Sequence, residues 1–264
     1  MSPNILKQVV NAETADSNWK SLYQVGAVAA LIVVLAFLLD IAISFGGGDF
    51  NPARLTATEW FILFQGNTLS GLRALGLINI LSLTVSVALY LALYAAHRQG
   101  CPSYATLALI LFLVGATTYI SNNAAIPMFV LSGRYAAAAT DAQRTLFAAA
   151  GEAILVRGAD FAPGSFIGFF LTEMAGLAFS LLMLRGRGFG KATAFAGILG
   201  FTLLAIFTIW TTFIPVFFDA AMVLATAGGL SSVAWYILVA RRLFRLGSGR
   251  AEIEANRKSM VAAH

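Results

Sequence analysis

The chain has 264 residues, 59% of them hydrophobic and only 11% charged, with a net charge of +5. A soluble domain carries about 25% charged residues, so a soluble fold with a polar surface is excluded. The basic residues sit at the ends of apolar runs and in the C-terminal tail, never in a run interleaved with aromatics, so the expected partner is the lipid bilayer and no nucleic acid.

Residues 1–21 are polar and include Glu13 and Asp16. They read as a cytoplasmic N-terminal segment, because the apolar run that follows is too long for the core of a signal peptide. Crossing about 30 Å of hydrocarbon takes about 20 helical residues. Six runs meet that length, at about 22–45, 72–96, 104–131, 164–184, 191–214 and 220–243. The fold class is therefore all-α: an integral membrane bundle of six transmembrane helices over 22–246, with 247–264 as a cytoplasmic tail. A β-barrel would show alternating segments of about 10 residues instead.

The distribution of Lys and Arg sets the orientation. Twelve lie on the side of the termini, including Arg241, Arg242 and Arg245 directly after the last span; five lie on the other side, namely Arg54, Arg73, Arg134, Arg144 and Arg157. The positive-inside bias predicts both termini in the cytoplasm.

The outer connectors carry the most pattern. The first begins with the turn-rich Gly46-Gly47-Gly48-Asp49 and Asn51-Pro52, then places Thr56 three residues before Glu59, ahead of Trp60 to Phe64. That spacing is a capping box. The second connector repeats it with Thr140 and Gln143, after which Leu146, Phe147, Ala150, Ile154 and Leu155 recur on one helical face. Both are expected to be short interfacial helices. The second, with Tyr135, Leu146, Phe147 and Glu152, would form an outer lid.

Polar residues inside the spans are the candidate site. Glu173 lies near the middle of the fourth span, where a lone carboxylate costs about 2.5–3.5 kcal/mol and must face the interior, either protonated or paired. Asp40, Asn79, Asn122 and Asn123 lie in the outer half, with Arg73 at the entrance of the second span. Two readings stand. The amides are interhelical glue worth about 0.6 kcal/mol each, with Glu173 paired to Tyr, Asn or Arg73; or they line one outward-facing crevice with Glu173 at its floor. Asn122 and Asn123 point about 100° apart on a helix, so one is expected on a neighbouring span and one in the crevice. Pro127 deprives the Asn123 carbonyl of its amide partner and predicts a kink. Two small-residue stripes, Ala192-Ala196-Gly200 and Ala221-Ala225-Gly229, are expected to pack the fifth span on the sixth.

The single cysteine, Cys101, excludes an internal disulfide, and the two histidines, His97 and His264, cannot form a paired haem or zinc site. No metal and no cofactor is expected. Hydrolase, metalloprotease and phosphate-loop motifs are missing from the chain.

The run 132–144 (Ser-Gly-Arg-Tyr-Ala-Ala-Ala-Ala-Thr-Asp-Ala-Gln-Arg) and the later Ala149-Ala150-Gly151-Glu152-Ala153 carry a resemblance, with Met183-Leu184-Arg185, Phe189-Gly190-Lys191, Trp235-Tyr236 and Arg241-Arg242-Leu243 further on. The chain is similar over about 104–247 to uncharacterised bacterial multi-pass membrane proteins with a domain of unknown function. Those proteins show Leu-Ser-x-x-Tyr-Ala-x-Ala-Thr in one loop, and Leu131, Ser132, Tyr135 and Ala136 match it. The resemblance implies a six-span bacterial membrane protein and supplies no catalytic residue. The expectation is a non-enzymatic membrane protein that binds a lipid-like or small apolar ligand, or serves as a subunit of a membrane complex. The alternatives are a proton-coupled carrier using Glu173, and an enzyme acting on lipid with Glu173 or Asp219.

Overall fold

A computed structural model describes residues 3–45, 55–160, 162–185, 188–214 and 218–248, with side chains described over 19–42, 55–160, 162–185, 188–214 and 220–248. The turn-rich stretch 46–54, the Asp219 side chain and the tail beyond 248 lie outside the described residues. The described residues form ten helices and no strand: α1 (Pro3–Phe45), α2 (Ala57–Gly66), α3 (Thr68–Ala74), α4 (Leu77–His97), α5 (Pro102–Asn122), α6 (Ala125–Ala136), α7 (Asp141–Gly158), α8 (Pro163–Arg185), α9 (Lys191–Phe213) and α10 (Phe218–Gly247).

Six helices are long and apolar enough to cross a membrane. Helices satisfy their own backbone hydrogen bonds, which lipid cannot do for them. In the bundle α1 packs on α4, α4 on α5, α5 on α8, α8 on α9, α9 on α10, and α10 back on α1, which closes a ring. At one end the two outermost helices are joined by a bond from Gln24 Nε2 to the Gly247 carbonyl at 3.4 Å. That is the tail end. Its aromatic core has Tyr90 stacked on Phe112, ring centroids 3.8 Å apart, with the Phe179 edge against Tyr90 at 5.7 Å.

The other end carries a cap of four short helices, α2, α3, α6 and α7. Its core is Ala57, Trp60, Phe61, Phe64, Leu75, Ala124, Ala125, Met128 and Leu155. The capping box at Thr56 is formed in full: Thr56 Oγ1 accepts from the Glu59 amide at 3.4 Å, and the Thr56 amide donates to Glu59 Oε2 at 2.7 Å. The bond from the Thr56 amide, and after it one from Thr56 Oγ1 to the same Oε2 at 2.8 Å, hold the Glu59 carboxyl below its ordinary pKa. At α7 the device is shifted. Thr140 Oγ1 accepts from the Gln143 amide, but the Gln143 side chain returns to the Ala139 amide, at 3.0 Å.

The structure departs from the sequence reading in four places. The N-terminal segment from Pro3 onward is helical and continuous with the first span. The second span starts at Leu77, not 72, since Arg73 belongs to α3 and Gly76 intervenes with φ +88°. The run 104–131 is two helices: α5 stops at Asn122, and Pro127 sits in the first turn of α6, where a missing amide costs nothing. A chain break thus replaces the expected kink. Lastly, the apolar side of α2 faces α6 and α7, not lipid, because those helices supply a closer apolar partner. The large apolar residues exposed on these two helices are Ile62 (61%) on α2 and Leu146 (66%) and Val156 (62%) on α7.

Gly76 tests how tightly the cap is joined to the bundle. A Cβ there would strike the Tyr119 hydroxyl, lie 2.9 Å from Asn123 Nδ2, and force an L side chain into the left-handed region. Gly66, in contrast, has open space at its Cβ position. Gly76→Ala is expected to lower the melting temperature of the detergent-solubilised protein by several degrees, with Gly66→Ala close to wild type. Scanning fluorimetry on the two purified variants checks this.

Candidate functional site

The sequence places six polar residues in one layer; the structure sorts them into three groups. The first is an ion pair at the rim. Arg73 Nη1 donates to Asp40 Oδ1 at 2.9 Å, tying α3 to α1.

The second group is a knot where three chain connections between bundle and cap meet: Gly76 before α4, Asn123-Ala124 between α5 and α6, and 159–162 between α7 and α8. Tyr119 Oη donates to Asp160 Oδ1 at 2.6 Å, and Asn79 Nδ2 donates to Asp160 Oδ2 at 2.9 Å. Asn123 Nδ2 donates to the Leu75 carbonyl at 2.9 Å and to Tyr119 Oη at 3.1 Å, while its Oδ1 accepts from the Ala125 amide at 2.9 Å. Asn122 Nδ2 donates to the Gly164 carbonyl at 3.2 Å, and its Oδ1 accepts from Arg157 Nε at 3.1 Å. The Ala124 amide donates to the Gly158 carbonyl at 2.9 Å. Both amides therefore serve as ties between segments, because the break at Asn123 frees backbone groups that they satisfy. Asp160, absent from the sequence-derived residues, is the acceptor at the centre. Its only sequence signal is an acidic residue three positions before Pro163, at the start of a span.

The residues expected in the lid are divided too. Tyr135 rests on Phe61, ring centroids 5.1 Å apart. Phe147 is half-buried and Leu146 exposed. Glu152 Oε1 accepts from the Ala57 amide at 2.7 Å, so it caps α2 from α7, where the helix dipole favours a carboxylate.

The third group is Glu173. It sits at the eleventh of 23 residues of α8, and is 8% exposed. Thr208 Oγ1 of α9 donates to Glu173 Oε1 at 2.7 Å, and Glu173 Oε2 has no hydrogen-bond partner. No ion pair to it exists among the described residues. A buried polar atom left unpaired costs about 1–3 kcal/mol, so this carboxyl is held at some expense.

Glycines bring the helices around Glu173 close. A Cβ at Gly115 of α5 would lie 2.9 Å from the Gly168 carbonyl of α8, and one at Gly168 would lie 2.7 Å from Tyr119 Cβ. On the other face of α8, the Phe201 ring of α9 fills the space over Gly176, 2.5 Å from where a Cβ would be. Gly197 meets Ser180 and Trp235, and Gly200 meets Ser232. The fifth span does pack on the sixth. The contact is made by Gly197, Gly200, Gly228 and Ser232, whereas Ala192 is exposed and Gly229 turns toward Phe37 of α1. Of the glycines in the predicted stripes, Gly200 lies in this seam and Gly229 does not.

The knot makes a definite energetic claim. Tyr119→Phe removes a bond to a buried carboxylate and is expected to cost about 1.5–3 kcal/mol. Its loss and that of Asp160→Asn are expected to be non-additive by at least ~0.5 kcal/mol in a double-mutant cycle of unfolding in mild detergent. Additive losses would show that the two groups do not act together. Comparison of the chain with protein-family models, with curated proteins and with solved structures found no match.

Proposed function

We propose that this is a multi-pass protein of the bacterial cytoplasmic membrane, cap outward and termini inward, working as a small secondary carrier whose coupling proton rides on Glu173. The observation behind it is the half-satisfied carboxyl: one oxygen bonded to Thr208, the other without a donor, at mid-depth in α8. Intramembrane carboxyls with no counter-charge are costly to keep for packing alone and recur in proton pathways. A carboxyl that holds a proton in one state and releases it in another meets that cost with a purpose.

The rival of a lipid-like ligand under the cap has less support. Of the polar side chains expected to line that crevice, Asn79 is bonded to Asp160 and Asn122 and Asn123 to backbone carbonyls, and the cap interior is filled by Trp60, Phe61, Phe64 and Met128. Chemistry on lipid would need a second positioned acid or base, and the described residues bring only the Thr208 hydroxyl to Glu173. The orientation rests on the basic residues of the tail side, Arg241, Arg242 and Arg245 among them.

Glu173→Gln keeps the shape and the acceptor for Thr208 while removing the exchangeable proton. In difference infrared spectra of the reconstituted protein across a pH series, the wild type is expected to show a carboxylic C=O band that the variant lacks. Proton entry into dye-loaded proteoliposomes under an imposed gradient is expected to fall by an order of magnitude in the same variant. An unchanged spectrum and an unchanged flux would remove Glu173 from the mechanism.

A further inference from the structure

Beyond Glu173, α9 and α10 hold four buried polar atoms without hydrogen-bond partners among the described residues, Trp210 Nε1, Arg242 Nε, Ser232 Oγ and Trp235 Nε1, of which the last two meet glycines across the α9–α10 seam. Both face α9. Ser232 Oγ lies 2.6 Å from the Cβ position of Gly200, and Trp235 Nε1 lies 2.6 Å from that of Gly197, where Ser180 Oγ also arrives. Ser180 is seven residues beyond Glu173 on α8, so the two share a helical face with Gly176 between them. Ser180 thus lies about 10 Å further toward the tail end than Glu173.

One side chain links the two levels. Phe201 is buried, with its ring tip seated over Gly176. Its other edge meets Trp235 nearly at right angles, 84°, ring centroids 5.0 Å apart. On the cap side of the ring is the Glu173–Thr208 bond; on the tail side are Ser180, Ser232 and Trp235. Buried polar atoms in folded proteins are nearly always paired with protein or water. Here Glu173 Oε2, Ser232 Oγ and Trp235 Nε1 are unpaired, and the Phe201 ring touches both Gly176, three residues beyond Glu173, and Trp235.

We propose that Phe201 is the gate between Glu173 and the tail-side end of the seam formed by α8, α9 and α10. With the ring over Gly176 the seam is closed and dry. When the ring leaves, water reaches Glu173 Oε2 along a wall made by Ser180, Ser232 and Trp235. This deepens the proton-carrier reading and rests on it, since it supplies the tail-side path that such a carrier needs. The closed state is the one with Gly197 and Gly200 pressed on α10, so a small displacement of the ring, not a large helix movement, separates the two conditions.

Cysteine accessibility tests it. In a Cys101→Ser background, Ser232→Cys is expected to react slowly with a small water-soluble thiol reagent in proteoliposomes. Adding Phe201→Ala is expected to raise that rate at least ~tenfold, as for a local opening made more frequent. Gly176→Ala, whose new methyl would meet the Phe201 ring, provides a second variant that displaces the ring without truncating it and is expected to act in the same direction. Ala116→Cys in α5, 3% exposed, reports general loosening and is expected to stay unreactive. No rate change at position 232 in either variant, or an equal rise at position 116, overturns the gate. The labelling is independent of the Glu173 infrared band. Loss of the gate with the band intact leaves the carrier reading standing, whereas absence of the band removes that reading whatever the labelling shows.

Discussion

The whole arrangement hangs on the hydrogen bond between Tyr119 and Asp160, 2.6 Å long and buried where three chain breaks meet. The chain goes from bundle to cap or back at each of these breaks. Each one interrupts a helix and leaves backbone groups unpaired at a depth where water is scarce. Asn123 answers two of them, through the Leu75 carbonyl and the Ala125 amide. Gly76 has no side chain, so the Tyr119 hydroxyl can come against its backbone. Gly158 and Gly164 let neighbouring strands of main chain approach in the same manner. Asp160 gathers the donors that remain. A hydrophobic residue at any of these positions would leave the breaks unsatisfied, and the cap would lose its fixed seat on the bundle.

That seat decides what the intramembrane polar residues can do. Asn79, Asn122, Asn123 and Arg157 are consumed in holding the cap, and Asp40 with Arg73 in closing its rim against α1. Glu173 is the carboxyl left out of this economy of bonds. It faces the opposite way, toward α9, and shares no partner with the knot. The single outer site that depth in the membrane implied is therefore two places with different chemistry: one fully bonded and static, one half-bonded.

Much of this was legible beforehand. Span number, helical class, the capping at Thr56 and Thr140, and the inward aim of Glu173 all follow from local pattern and from the cost of charge in lipid. Span limits did not, at 104–131 above all. Hydropathy runs on unbroken through Asn123 and Pro127, and only a tertiary partner, the Gly158 carbonyl, makes a break affordable there. Asp160 was invisible for a related reason. An acid just before a span reads as a solvated loop residue until Tyr119 and Asn79, from 41 and 81 positions away, are seen to close on it. The cover over the apolar side of α2 was not legible, because an apolar helix at an interface and one in a small protein core have the same sequence; what differs is whether α6 and α7 are there to cover it.

The two faces of α8 show how one helix divides fixed from free. Toward α5 it is welded: Gly115 and Gly168 interlock, Tyr119 leans on Phe169 at 4.7 Å between ring centroids, and the knot anchors its first turn through Gly164. Toward α9 its contacts include a glycine notch filled by Phe201, one bond from Thr208, and Phe166 edge-on to Phe213 at 5.1 Å between ring centroids, while the Ser180 hydroxyl turns back to its own helix at the Gly176 carbonyl. α9 and α10 complete the ring by packing on each other, on α8 and on α1. Each face carries one hydrogen bond between helices, from Asn122 to the Gly164 carbonyl and from Thr208 to Glu173, but only the first belongs to a connected network, since Asn122 is bonded to Arg157 as well. The unpaired carboxyl lies on the α9 side of α8, the side that the knot does not reach.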